Sequence, residues 1–380
     1  MSGRRKIIQS VGMGLAFVLV GYGVAEVLVS TAVVWRVVDM GVYSMYCERT
    51  GGIRFVPELG FRLEREPMRF VSYIGEHLEQ EGRYQGNNYG FPDAHDVQPQ
   101  RARPGTFRVA VLGDSLTAAP YLQVSWPDRV NEMLRASGQD VEVLNCAQDG
   151  GGLVNWWIVV DRILAREGFE LDGIIVTAFW DSMHRGLCVM HSDADQVYFG
   201  ETDTWSPMLW PRNVEEALEV MWPIGRVVST EEFERARREG IYPEWRPYLF
   251  QMAYGAIQLR RYFREVTSDR NRMRQEPFVN GLMDCMGERG WRVMTVFTGS
   301  KGYIHNHYYV PPSQKDFADR MESVSFHGNH AFEGLTPGEI TAMWYKYDGH
   351  WNQEGSDQFA VYMYGQILNW RDAIEREKAR

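Results

Sequence analysis

The sequence predicts an α/β protein, a three-layer α/β/α sandwich around a parallel sheet, preceded by one N-terminal transmembrane helix. Three observations carry that expectation. From Arg108 onward, short β-branched apolar runs alternate with segments of helical periodicity, the pattern of a parallel sheet covered on both faces. The first of those runs stops at Gly113-Asp114-Ser115, as a buried strand does when it delivers a side chain to the edge of a sheet. Near the start, the run from Ile7 to Trp35 carries Glu26 as its only formal charge, a composition suited to a membrane span.

Along the chain, residues 1–6 form a basic tail with Arg4, Arg5 and Lys6, and residues 7–36 form the anchor. A helix crosses the hydrocarbon core in about 20 residues, which sets Glu26 near the far interface. The basic cluster stays on the cytoplasmic side of the inner membrane, so the remainder lies in the periplasm or an equivalent extracytoplasmic space. A cleaved signal peptide competes, with Gly23-Val-Ala25 as its small-residue site, but apolar sequence continues well beyond it. Val37 to Tyr46 extends the helix along the interface. Within the extracytoplasmic linker and wrapping segment, residues 37–106, residues 51–106 read as short strands and loops wrapping onto the main domain, or as a plain spacer. Arg101-Ala-Arg-Pro-Gly105 marks the boundary before the domain spanning 107–380.

In that domain, strands fit at 108–113, 141–146, 173–179 and 291–298, with a weaker one at 322–327, and a helix fits Trp126 to Ser137. Residues 200–290 interrupt the alternation. Helical patterns cover Val214 to Met221, Thr230 to Glu239 and Tyr254 to Met286, the last broken at Pro277. Trp205, Trp210, Trp222 and Trp245 stud this insertion. It is a lid over the active face, a docking surface for a membrane-protein partner, or a simple helical elaboration.

Composition narrows the function. With 380 residues there is ample core, and a net charge of −10 argues against a nucleic-acid partner. Cys47, Cys146, Cys188 and Cys285 show no Cys-x-x-Cys spacing, so no zinc site is built from them. Gly150-Gly-Gly152 lacks the dinucleotide fingerprint. His305-Asn-His307 and His327-Gly-Asn-His330 have no carboxylates spaced to complete a metal site, and His184 and His191 read as ordinary surface histidines. No cofactor or metal is expected. The chemistry falls instead on Ser115, placed at the carboxyl end of a strand where ligands of parallel sheets bind, and on Asp348-Gly-His350. An Asp and a His two residues apart can meet side by side on a loop, giving a serine its base.

These segments resemble the SGNH, or GDSL, hydrolase superfamily. Gly113-Asp114-Ser115-Leu116 is similar to its first block, Val141-Glu-Val-Leu-Asn145 with Gly150 to its second, and Asp348-x-His350-Trp351-Asn352 with Gly355 to its last. The Asp-x-His spacing resembles the alginate O-acetylation branch. Pro57-Glu-Leu-Gly60 and Asn88-Tyr-Gly-Phe91 resemble the lead-in of membrane-anchored bacterial members. The resemblance implies a flavodoxin-like strand order and a triad of Ser115 (nucleophile), His350 (base) and Asp348 (orienting acid). It also implies an oxyanion hole from the amides of Ser115 and Gly150 and an asparagine side chain. In this chain the asparagine's place is taken by Trp180, in Ala178-Phe179-Trp180-Asp181. The Trp180 indole nitrogen and Asn155 are the candidate replacements. Three functions follow: an esterase for O-acyl groups, with carbohydrate O-acetyl esters as one substrate class; an O-acyltransferase with the same triad; or a structural subunit of a membrane complex whose site has decayed. No Gly-x-Ser-x-Gly elbow surrounds Ser115, which argues against the α/β-hydrolase family.

Overall fold

The computed structural model describes residues 2–34, 45–50, 53–56, 60–74, 77–93, 95–179, 225–228, 247–250, 252–253, 257, 269–299 and 312–380. The expected helices at Val214–Met221 and Thr230–Glu239, the four tryptophans of the insertion, Trp180, His184, His191, Cys188, His305 and His307 lie outside the described residues.

Helix α1 (Ser2–Val34) has 33 residues. Its side chains are described at Gly14 and from Phe17 to Ala32, where Phe17, Val18, Leu19, Val20, Val24 and Leu28 are exposed. Among the described residues, no helix is long and apolar enough to cross a membrane. The charge in α1 is met from a distant segment: Glu26 is buried and accepts from Tyr22 Oη, Ser30 Oγ and the amides of Leu249 and Phe250.

Five short strands follow: β1 (Met45–Thr50), β2 (Ile53–Val56), β3 (Gly60–Leu63), β4 (Met68–Ile74) and β5 (His77–Tyr84). The expected helical extension to Tyr46 is corrected here, because Met45 and Tyr46 pair in β1 with Ile74 and Tyr73. β2 and β3 form a hairpin. β5, β4 and β1 join β9 (Gly225–Val228) in a four-stranded sheet with β5 at one edge. Phe70 of β4 enters the main core, and Leu63 and Tyr84 pack with Ala118 and Ala147. The region thus packs directly on the main domain.

The main sheet consists of β6 (Phe107–Leu112), β7 (Val141–Asn145), β8 (Gly173–Phe179), β10 (Arg292–Thr298) and β11 (Val324–His327). All pairings are parallel, in the order β11-β10-β8-β6-β7, which is the flavodoxin-like 2-1-3-4-5 arrangement. All six residues of β6 are buried, and its side chains alternate between two cores. Val109 and Val111 face one, Ala110 and Leu112 the other, as a strand covered on both faces requires.

Helices cover both faces. Around Ser115, α2 (Ser115–Ala118) is a single turn and α3 (Trp126–Ala136) packs on β7. The opposite face carries α4 (Leu153–Val159), α5 (Asp269–Arg289) and α6 (Pro312–Arg320). Helix α5 continues through Pro277, which corrects the expected break. Val279, Leu282 and Met286 enter the core, and that burial offsets the one backbone hydrogen bond a proline removes. Finally come α7 (Pro337–Ala342) and the 26-residue α8 (Gln353–Lys378). α8 buries Phe359, Met363, Ile367, Trp370 and Ile374 beside α3, a stripe at helical spacing.

Candidate active site

The strand order reverses between β6 and β8, so the carboxyl end of β6 is the crevice where such sheets take ligands. Ser115 begins α2 there and is buried. Asp114 caps the turn by accepting from the Leu116 amide at 3.0 Å. Gly113 is dictated by space: a Cβ would lie 2.3 Å from both Thr117 Oγ1 and Thr177 Oγ1. Those hydroxyls form a chain beneath the serine, Thr177 donating to the Leu112 carbonyl (2.9 Å) and receiving from Thr117 (2.6 Å). Asn145, at the end of β7, donates to the carbonyl of Thr117. The Gly-Asp-Ser and Asn145 motifs therefore have structural reasons beside any chemical one.

The base arrives on the loop between α7 and α8. Its foot is closed by a bridge between Trp344 and Trp351. Asn352 caps α8 by accepting from the Gly355 amide at 3.1 Å. Gly355 has no room for a side chain, since a Cβ would lie 2.4 Å from the Met343 carbonyl. Within the loop, Asp348 Oδ1 accepts from the His350 amide at 2.8 Å and also meets His350 Nδ1. His350 Nε2 stands 2.7 Å from Ser115 Oγ. Residues 235 positions apart are thereby brought into one Asp–His–Ser line, and the two-residue spacing closes the Asp–His part locally.

Tyr121 lies against this line, its ring centroid 4.5 Å from that of His350. Burial, with the charges of Asp348 and Asp114 adding to it, holds its phenol protonated, and the hydroxyl donates to the Ser115 carbonyl at 3.0 Å. For His350, burial pulls the pKa down. The charge and hydrogen bond of Asp348, with Asp149 and Asp114 behind them, outweigh it and leave the imidazole more basic than usual. That is the direction a proton acceptor beside a hydroxyl needs.

The oxyanion candidates are partly placed. Ser115 heads α2, where first-turn amides have no intrahelical partner. Gly150, at φ +67°, belongs to a turn that leans on the strand end, with the Gln148 amide donating to the Gly113 carbonyl at 3.1 Å. Asn155 is engaged elsewhere: Oδ1 accepts from the Gly152 amide and Nδ2 donates to Gln148 Oε1. It braces the turn, and Gln148 Oε1 also receives Arg62 Nη1 of β3 at 3.3 Å. Cys146 is a free buried thiol whose pKa burial pushes up, which leaves it a poor nucleophile at neutral pH. Cys285 is also free. His327 Nδ1 accepts from the Asn329 amide and His330 meets Glu333. A cavity of about 390 Å³ at the amino ends of β8 and β10 is lined by Arg101, Asp172, Arg292 and Lys378, at the other end of the sheet from Ser115.

Glu79, Arg62 and Tyr121 join the site without a signal in the sequence. No motif marks them, and only the approach of the small sheet and the α2 turn to these loops gives them a role.

Neither a family model nor a curated protein matches the chain. Among solved structures it is similar to the psychrotrophic esterase EstA from Pseudoalteromonas sp., at 10% identity over 70% of this chain and 98% of that one, TM-score 0.36. It is similar to a lipase/acylhydrolase from Enterococcus faecalis at 11% identity over 69% and 95%, TM-score 0.34. A carbohydrate acetylesterase family member from Sinorhizobium meliloti aligns at 14% identity over 69% and 97%, TM-score 0.30.

Proposed function

We propose that the chain is a membrane-tethered serine hydrolase of O-acyl esters, built on the SGNH pattern its motifs resemble. The observation that carries the reading is the Ser115 Oγ to His350 Nε2 contact at 2.7 Å, with Asp348 on the far side of the ring. Ser115 Oγ attacks the ester carbonyl carbon while its proton passes to His350 Nε2. Asp348 stabilises the imidazolium. The amides of Ser115 and Gly150 receive the negative oxygen, each such donor being worth about 10²–10³ in rate. Collapse expels the alcohol, which takes the proton from His350. Water then repeats the sequence on the acyl-serine and releases the acid.

Tethering is supported by the exposed apolar side chains of α1, among them Phe17, Val18, Leu19, Val20, Val24 and Leu28, because a sizeable exposed apolar patch marks a surface that meets protein or lipid. Arg4, Arg5 and Lys6 would hold its start at the cytoplasmic face. The hydrogen bonds to Glu26 lower the cost of one carboxylate in that run. Acetyl esters of a carbohydrate are the substrate class the motif resemblance suggests, with transfer to a sugar hydroxyl as the variant of the same chemistry.

A fluorophosphonate probe tests the reading on the full-length protein in detergent. Labelling of the wild type that disappears in Ser115→Ala and His350→Ala supports an activated serine. A folded wild type that takes no label sinks the hydrolase reading and leaves a structural role.

A further inference from the structure

Glu79 is a buried acidic side chain that reaches the His350 loop from the N-terminal sheet. It is 1% exposed, and Oε1 accepts from the amides of Tyr347 at 2.6 Å and Asp348 at 3.0 Å. Its other oxygen lies 3.0 Å from His77 Nε2 without the alignment of a hydrogen bond. The backbone explains how it gets there. β4 and β5 pair Ser72 with Gln80 but Tyr73 with Leu78, so Glu79 is the extra residue of a β-bulge. Gln80, Gly82 and Tyr84 face inward in regular alternation. The bulge resets that phase, turning Glu79 inward and leaving Leu78 42% exposed. A carboxylate is buried while its leucine neighbour faces water, the reverse of what hydrophobicity alone would select. Bulges beside functional sites characteristically re-aim one side chain in this way.

We propose that Glu79 is a positioning residue for the acid–base loop: by holding the amides of Tyr347 and Asp348, it sets where Asp348 meets His350. This rests on the catalytic reading above. The N-terminal sheet then becomes a working part of the site. The same strand is seated beside the serine, because a Cβ on Gly82 would lie 2.3 Å from the Pro120 carbonyl oxygen and the Arg83 amide donates to the Leu122 carbonyl at 3.3 Å. One strand thus fixes the distance between the α2 turn and the His350 loop.

The test uses full-length protein and two readouts: the rate of fluorophosphonate labelling against pH, and the low-field proton resonance of His350 Nδ1–H, assigned by its loss in His350→Ala. Glu79→Ala should slow labelling by about 10²-fold, the size of effect a misplacement near 1 Å produces, and should shift or abolish the resonance. Glu79→Gln keeps an oxygen able to accept both amides and should restore the resonance and most of the rate. Glu79→Asp keeps the charge but withdraws the oxygen by one methylene, and should itself slow labelling and shift the resonance, a readout that stands if the alanine variant fails to fold. Leu78→Ala, on the outward side of the bulge, should change neither readout. Wild-type rate and resonance in Glu79→Ala or Glu79→Asp would overturn the proposal, as would a folded Glu79→Gln that behaves like Glu79→Ala. Absence of labelling in the wild type would remove the hydrolase reading alone, because the resonance still reports on Glu79.

Discussion

Ser115 sits at the end of a strand whose six residues are all buried, whereas His350 lies on a loop whose lateral supports come from distant parts of the chain. The serine is held by its own strand end and the strand beside it: the Asp114 cap, the space around Gly113, and the paired hydroxyls of Thr117 and Thr177. The histidine depends on Glu79, 269 positions before Asp348, and on Tyr345, which donates to the Tyr121 carbonyl at 2.9 Å. One half of the site is fixed by strand register and the other by tertiary contact. The two should therefore fail in different ways, the first through misfolding of the sheet edge and the second through loss of alignment in an intact fold.

The largest expected effect comes from the reacting groups themselves. Ser115→Ala should reduce ester hydrolysis by about 10⁶-fold, and His350→Ala by a similar factor, since triad members act as a unit. Melting temperature should stay close to that of the wild type, and a large drop would mean the contact serves stability instead. Asp348→Asn should cost about 10⁴-fold in kcat while sparing the fold, because an amide favours the wrong imidazole tautomer. Near-wild-type turnover in that variant would remove Asp348 from the mechanism.

Gly113→Ala probes the other half. The added methyl meets two hydroxyls at 2.3 Å, so overpacking of about 1–3 kcal/mol is expected. Activity should fall together with the denaturation midpoint. Loss of activity at unchanged stability would show that the strand end yields without strain.

The pH profile reports on the histidine half. Catalysis needs neutral imidazole, and His350 is more basic than usual, so the rising limb of kcat/KM should lie above about pH 6.5. Because the folded-state pKa is raised, the protonated pair contributes its full stability below the unfolded-state pKa. That contribution is lost as pH rises through the folded-state value. A limb below pH 6 would contradict the upward shift. The smallest effect belongs to Asn352→Ala, which removes the cap of α8. About 1 kcal/mol of stability should be lost, measured by denaturant unfolding, with activity reduced only modestly.

Much of this molecule is legible in its residues because strand burial and strand-end turns are local properties. The five strands of the main sheet follow from short apolar runs, and Ser115 and the Asp348–His350 pair follow from motif spacing. The helix through Pro277 shows where local propensity yields to packing, as Val279, Leu282 and Met286 hold the segment helical past its proline. Asn155 shows that a suitable side chain close in sequence to Gly150 can be committed to bracing the turn.

The alternation of strands and helices, and the residue types at the strand end and the His350 loop, can be read from the residues alone, since both depend on neighbours a few positions away. Long-range packing sets that these residues meet at 2.7 Å, that Glu79 is turned inward by a bulge, and that Arg62 reaches the Gln148 turn. The physical reason is that a buried polar side chain takes its partner from whatever backbone the fold brings alongside, and no periodicity in the chain encodes that partner.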